Sequence, residues 1–169
     1  MKNIYIIGFM GVGKSTVCDT LKKMLNKECA EMDQLIVEQQ GMAISEIFDK
    51  YGENGFRDIE TQLVKDLGQK EDLIISCGGG AVLRDENTAD MKAHGNIVLL
   101  TATPETIYGR VKNSKDRPLL NGNMNVDYIR GLMEKRRPRY EEVADLMVST
   151  DGKNVREICE EIITKLGIQ

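Results

Sequence analysis

The sequence predicts an α/β fold in which a parallel sheet is covered by helices on both faces. Three observations carry that prediction. The apolar runs Ile4–Ile7, Leu73–Cys77 and Ile97–Leu100 are continuous rather than alternating, as strands buried on both sides require. Segments with helical spacing lie between them. Two of the runs also end in glycine-rich turns, at Gly8 and at Gly78-Gly79-Gly80.

The elements follow in order. Ile4–Ile7 is the first strand. Val17, Leu21, Met24 and Leu25 then recur at the spacing of one helix face within Lys14–Asn26. Cys29–Met32 is a weaker strand that ends in an acidic pair, Glu31 and Asp33. Ser45–Phe48 suggests a short helix, and Phe56, Ile59, Leu63 and Leu67 mark another stripe. After Ile97–Leu100, Thr103 suits an N-cap and Pro104 the first helical position. The polar stretch 113–125 reads as a mobile loop. Asp127–Arg137 is a helix, Leu146–Val148 a short strand, and Asn154–Leu166 a closing helix with Val155, Ile158, Cys159, Ile162 and Leu166 facing inward.

Composition narrows the function. A chain of 169 residues suits one domain. A net charge of −4 argues against a nucleic-acid binder. Cys18, Cys29, Cys77 and Cys159 include no CxxC pair, and His94 is the sole histidine, so a zinc site is not expected. Thiols this widely spaced are expected to be reduced, with pairing left open. No apolar stretch approaches the roughly 18 residues of a membrane span, and Met1-Lys2 leads directly into the first strand. A cytoplasmic location and no membrane partner are expected.

Gly8-Phe9-Met10-Gly11-Val12-Gly13-Lys14-Ser15 matches G-x-x-x-x-G-K-[ST] between a strand and a helix. Its glycines let backbone N–H groups turn inward, and the helix adds its positive end. Lys14 supplies a charge for the β- and γ-phosphates, Ser15 a hydroxyl for Mg²⁺, and Thr16 lies beside them. Binding of a nucleoside triphosphate with Mg²⁺ follows. The loop alone does not choose between a kinase, a GTPase and a motor. The guanine-reading N-K-x-D is absent, since Asn113-Ser114-Lys115-Asp116 has the letters in another order, and no apolar strand ends in an Asp-Glu pair. A small-molecule kinase is therefore favoured.

Other residues could complete such a kinase. Arg57 and Glu60 are three apart on one helix, so the carboxylate can hold a guanidinium toward a substrate; a surface ion pair explains the spacing equally. Arg117, beside Pro118 in the polar loop, can fold over a γ-phosphate or simply be exposed. The run Arg136, Arg137, Arg139 could bind a carboxylate or lie in solvent. Glu31 and Asp33 can serve a metal or accept a hydroxyl proton. Gly78-Gly79-Gly80 admits a ligand close to the backbone.

These elements together resemble the bacterial shikimate kinase family over essentially the whole chain. The matches run in the family's order: Gly8–Ser15, the acids ending at Asp33, Gly55-Phe56-Arg57-Asp58-Ile59-Glu60, Gly78-Gly79-Gly80, Arg117-Pro118-Leu119, and Arg136 four residues before Tyr140. The resemblance implies a three-layer P-loop kinase fold, with a five-stranded parallel sheet in the order 2-3-1-4-5 flanked by helices. It implies one domain over residues 1–169, a mobile lid over 112–124 and a shikimate-binding segment over 33–61. The implied activity is transfer of the γ-phosphoryl group of ATP to the 3-hydroxyl of shikimate, on the route to chorismate and the aromatic amino acids.

The same resemblance assigns roles. Lys14, Asp33 and Arg117 are catalytic, and Gly11, Val12, Gly13, Lys14, Ser15 and Thr16 hold the ATP phosphates. Arg110 stacks near adenine and Arg117 closes over the phosphates. Asp33, Arg57, Gly78, Gly79, Gly80 and Arg136 bind shikimate; Ser15 ligates Mg²⁺, with Glu31 reaching it through water. Glu31 stands where the family has aspartate, and Gly152-Lys153-Asn154-Val155 replaces a segment that often carries a proline near the adenine. Shikimate and ATP are the expected partners of a monomer. The rivals are a gluconate kinase, a nucleoside monophosphate kinase and a non-catalytic nucleotide switch.

Overall fold

In the computed structural model, which describes residues 2–112 and 125–168, five strands form one parallel sheet in the order β2-β3-β1-β4-β5. They are β1 (Asn3–Ile7), β2 (Glu28–Glu31), β3 (Leu73–Ser76), β4 (Gly95–Thr101) and β5 (Leu146–Ser149). Seven helices complete the described residues: α1 (Lys14–Leu25), α2 (Met32–Gln40), α3 (Ile44–Gly68), α4 (Asp85–His94), α5 (Pro104–Val111), α6 (Val126–Val143) and α7 (Val155–Leu166). Every residue of β1 is buried, so the central strand is covered on both faces. No helix among the described residues is long and apolar enough to cross a membrane.

The topology positions the site. The β1-to-β2 crossover carries α1 toward one edge of the sheet, and the β3-to-β4 crossover carries α4 toward the other. Right-handed crossovers running in opposite directions place these helices on opposite faces. The chain thus diverges between neighbouring β1 and β3, in register from Ile4 opposite Ile74 to Ile6 opposite Ser76. A crevice opens beyond the carboxyl ends of those two strands. Both glycine-rich turns lie there.

Several sequence expectations need correction. The short helix at Ser45 and the stripe from Phe56 are two helices, as expected, but they abut within α3 at a kink at Gly52, with φ 74° and ψ 177°, and no loop between them. Phe48 stacks on Phe56 across that bend, with ring centroids 4.8 Å apart. Met32, expected at the end of the second strand, instead opens α2, and Asp33 lies in the first turn of that helix. Both α2 and α4 were unmarked by periodicity. α2 buries only Met32 and Ile36, and α4 turns Asn87 and Thr88 inward beside Met91. Asn87 is held there by donating to the Ala81 carbonyl at 2.9 Å. α6 runs through Pro138 instead of stopping before it, because Arg139 and Tyr140 are anchored beyond that residue.

The cysteines also depart from the reduced-thiol expectation. Cys18 and Cys29 form a disulfide, while Cys77 and Cys159 are free and buried. The 11-residue separation hides the fact that α1 packs back on β2. The helix starts at Thr103 and Asn154 match expectation. Thr103 accepts from the Thr106 N–H at 3.2 Å, and Asn154 forms a reciprocal capping box with Glu157.

Candidate active site

The first wall of the site is the turn between β1 and α1. Gly13 caps α1 with φ 103°, a conformation that side-chain-bearing residues rarely adopt. Lys14 folds back so that Nζ donates to the Gly8 carbonyl at 2.8 Å and the Phe9 carbonyl at 3.1 Å. Its charge is thereby held over the loop. Ser15 and Thr16 are exposed at the start of the helix. The Ser15 hydroxyl donates to Glu31 Oε2 at 3.0 Å, joining α1 to the end of β2. Arg110, from α5, donates to the carbonyls of Gly11 and Val12 at 3.1 and 2.8 Å, so it braces this loop from outside.

The second wall is the triple glycine after β3, and each glycine makes room for a different side chain. A Cβ on Gly78 would stand 2.9 Å from both Asp33 Oδ1 and Glu60 Oε2. One on Gly79 would meet Arg136 Nη1 at 3.1 Å. One on Gly80 would overlap the Arg57 guanidinium at 2.4 Å. Three elements thus converge on the turn: α2 through Asp33, α3 through Arg57 and Glu60, and α6 through Arg136.

Arg57 and Glu60 form a buried pair rather than a surface one. Arg57 Nη1 lies 2.9 Å from Glu60 Oε1, and the Glu60 side chain is 1% exposed. Burial pushes the Glu60 carboxyl above its ordinary range, and the Arg57 charge only partly offsets this. Among the described residues, Glu60 Oε2 has no hydrogen-bond partner. The rest of the basic run is used otherwise. Arg137 pairs with Glu134, and Arg139 donates to the Val82 carbonyl at 2.6 Å and to Asp85 at 2.8 Å. Arg136 is the member that faces the turn.

The two walls share one cavity of about 280 Å³, lined among others by Lys14, Ser15, Glu31, Asp33 and Gly79. A larger one, about 470 Å³, lies between α6 and the ends of β4 and β5. It is mainly apolar and includes none of Lys14, Asp33 and Arg57. The smaller cavity therefore brings together Lys14 and Ser15 of the loop with the acids Glu31 and Asp33, and Arg57 and Arg136 pack against the glycine turn in its wall. Arg117 and the expected lid beyond residue 112 lie outside the described residues. Sequence reasoning did not identify the contact from Tyr140, whose hydroxyl donates to the Gly79 carbonyl at 2.6 Å. Its only signal was a place one helical turn after Arg136.

Residues 10–167 match the family model described as shikimate kinase. The shikimate kinase of Thermodesulfovibrio yellowstonii is 43% identical over 96% of this chain and 94% of its own. That of Geobacter sulfurreducens is 40% identical over 96% and 90%. Among solved structures, the Acinetobacter baumannii shikimate kinase in complex with shikimate superposes with a TM-score of 0.93, at 34% identity, over 98% of this chain and 93% of that one. By sequence and by fold alike, the chain belongs to the shikimate kinase family of ATP-dependent phosphotransferases.

Proposed function

We propose that this chain, as one catalytic unit spanning residues 1–169, transfers the γ-phosphoryl group of ATP to the 3-hydroxyl of shikimate. The products are shikimate 3-phosphate and ADP, on the route to chorismate. The observation that carries the proposal is that Asp33 and Gly79 line the same small cavity as the phosphate cradle, while Arg57 and Arg136 pack against the glycine turn that forms part of its wall.

The proposed division of labour follows the charges. Backbone N–H groups from Gly11 to Thr16 and the Lys14 ammonium hold the triphosphate. Arg57 and Arg136 receive the shikimate carboxylate, a contact suited to planar guanidinium forks. That fixes the ring so that a hydroxyl faces Asp33, which orients it and accepts its proton as the oxygen attacks. Gly78, Gly79 and Gly80 let the ring approach the backbone. Arg110 sits on the adenine side of the loop, and Arg117 closes over the phosphates.

The oxygen donors Ser15 Oγ and Glu31 Oε2, 3.0 Å apart at the cavity, suit Mg²⁺, which takes oxygen ligands and retains water. These two residues would hold the ion, which would supply charge neutralisation for the transferring phosphate. The longer Glu31 spans to the hydroxyl directly. We further propose a cytoplasmic monomer with no nucleic-acid or membrane partner. In that compartment Cys18 and Cys29 would be thiols that pair on oxidation.

A coupled assay of ADP release with ATP, Mg²⁺ and a panel of hydroxy acids tests the reading. Shikimate should support turnover and gluconate should not. ATP binding without shikimate-dependent release would identify a nucleotide switch instead.

A further inference from the structure

The three glycines that admit Asp33, Arg57 and Arg136 carry a cost: a run of glycines has wide conformational freedom. The turn's own hydrogen bonds remove only part of it. The Ala81 N–H donates to the Gly78 carbonyl and the Leu83 N–H to the Gly80 carbonyl, each at 3.1 Å. The carbonyl between them, on Gly79, takes its bond from the Tyr140 hydroxyl at 2.6 Å. A trans peptide is planar, so fixing the Gly79 carbonyl also fixes the direction of the Gly80 N–H. Gly80 is the residue against which the Arg57 guanidinium lies.

The other side of the phenol bears on the second arginine. Tyr140 is 5% exposed and lies one turn after Arg136 on α6. A Cβ on Gly79 would stand 3.1 Å from Arg136 Nη1 and 3.7 Å from the Tyr140 oxygen, so both groups crowd the same Cα. While its hydrogen goes to Gly79, the phenol oxygen keeps lone pairs available to the guanidinium that crowds the same Cα. Arg139, the preceding residue, grips the Val82 carbonyl at 2.6 Å. α6 is thus fastened to the glycine turn at Gly79 and again just past it at Val82.

We propose that Tyr140 is a positioning residue for the acceptor's carboxylate, locking the Gly79–Gly80 peptide and Arg136 into one arrangement. The inference rests on the shikimate kinase reading above. The phenol would touch neither the phosphates nor the reacting hydroxyl. Its removal should therefore weaken acceptor binding and leave the chemical step alone.

The test is Tyr140→Phe, which keeps the ring and deletes the hydroxyl. The KM for shikimate should rise about tenfold, as expected for a lost hydrogen bond to a charged group. The kcat and the KM for ATP should stay within about twofold of wild type. In the Arg136→Lys background, Tyr140→Phe should add much less than it does alone, because the phenol acts through the guanidinium. An unchanged shikimate KM in an active Tyr140→Phe enzyme would overturn this inference alone. So would a parallel loss of kcat and ATP affinity, additive effects with Arg136→Lys, or a variant unfolded at the assay temperature. Absence of shikimate turnover by the wild type would overturn the underlying reading and this inference with it.

Discussion

At the scale of single residues, the proposed acceptor pocket depends on guanidiniums held by groups that do not themselves react. Arg57 is the clearest case, buried against Glu60 and packed on Gly80. Arg57→Ala would leave Glu60 buried without a counter-charge and confuse binding with stability. Arg57→Lys keeps the charge but loses the planar fork. We expect it to raise the KM for shikimate about tenfold or more, with ATP affinity unchanged, in steady-state kinetics. Unchanged shikimate KM would place the carboxylate elsewhere.

Glu60 adds a pH dependence. Its folded-state pKa is raised by burial. It therefore favours folding most below the ordinary glutamate range, and that contribution is lost as pH rises through the raised value. Binding should run the other way, because only ionised Glu60 holds Arg57 fully. The KM for shikimate should climb on acidification at a pH above the usual glutamate range, and Glu60→Gln should abolish that inflection. A wild-type KM flat through this window would refute the coupling. These roles were partly legible in the sequence. The i,i+3 spacing of Arg57 and Glu60 was visible, but burial, which separates an anchoring pair from a surface one, is a tertiary property. Tyr140 was invisible as a site residue because a phenol bonding a carbonyl 61 positions away has no local pattern.

Elements were legible where a helix or strand satisfies its own local rules. The apolar runs of β1, β3 and β4, the cap at Thr103 and the start of the closing helix near Asn154 could be read directly. α2 and α4 could not, since their buried faces are short or polar and tertiary contacts hold them. The α7 start gives an energetic check. Asn154 accepts from the Glu157 N–H at 2.9 Å, and Glu157 returns a bond to the Asn154 N–H at 3.1 Å. Asn154→Ala should cost about 1 kcal/mol in urea unfolding, with an unchanged slope. A loss near zero would mean that α7 is held by its packing against α1 and β5 without help from the cap.

For the whole molecule, the sheet order was available only through resemblance to a family, because strand alternation does not specify which strands are neighbours. The order matters because it sets β1 beside β3 and so brings two distant glycine turns to one crevice. The Cys18–Cys29 bond ties α1 to β2 at the same end of the sheet, close to Ser15 and Glu31. Closing a loop of this size stabilises a chain by roughly 3 kcal/mol through the unfolded state. Adding a reductant to oxidised protein should lower Tm by roughly 10 °C, and Cys18→Ser should make Tm insensitive to it. A reductant-independent wild-type Tm would show that the bond does not contribute. The central claim, that phosphate donor and carboxylate-bearing acceptor meet in one cavity, is tested most directly by a crystal structure with shikimate and a non-hydrolysable ATP analogue. The carboxylate should lie between Arg57 and Arg136, with a hydroxyl at Asp33 and within about 3.5 Å of the γ-phosphorus. Shikimate seated instead in the larger cavity beside α6, away from Lys14, would contradict it.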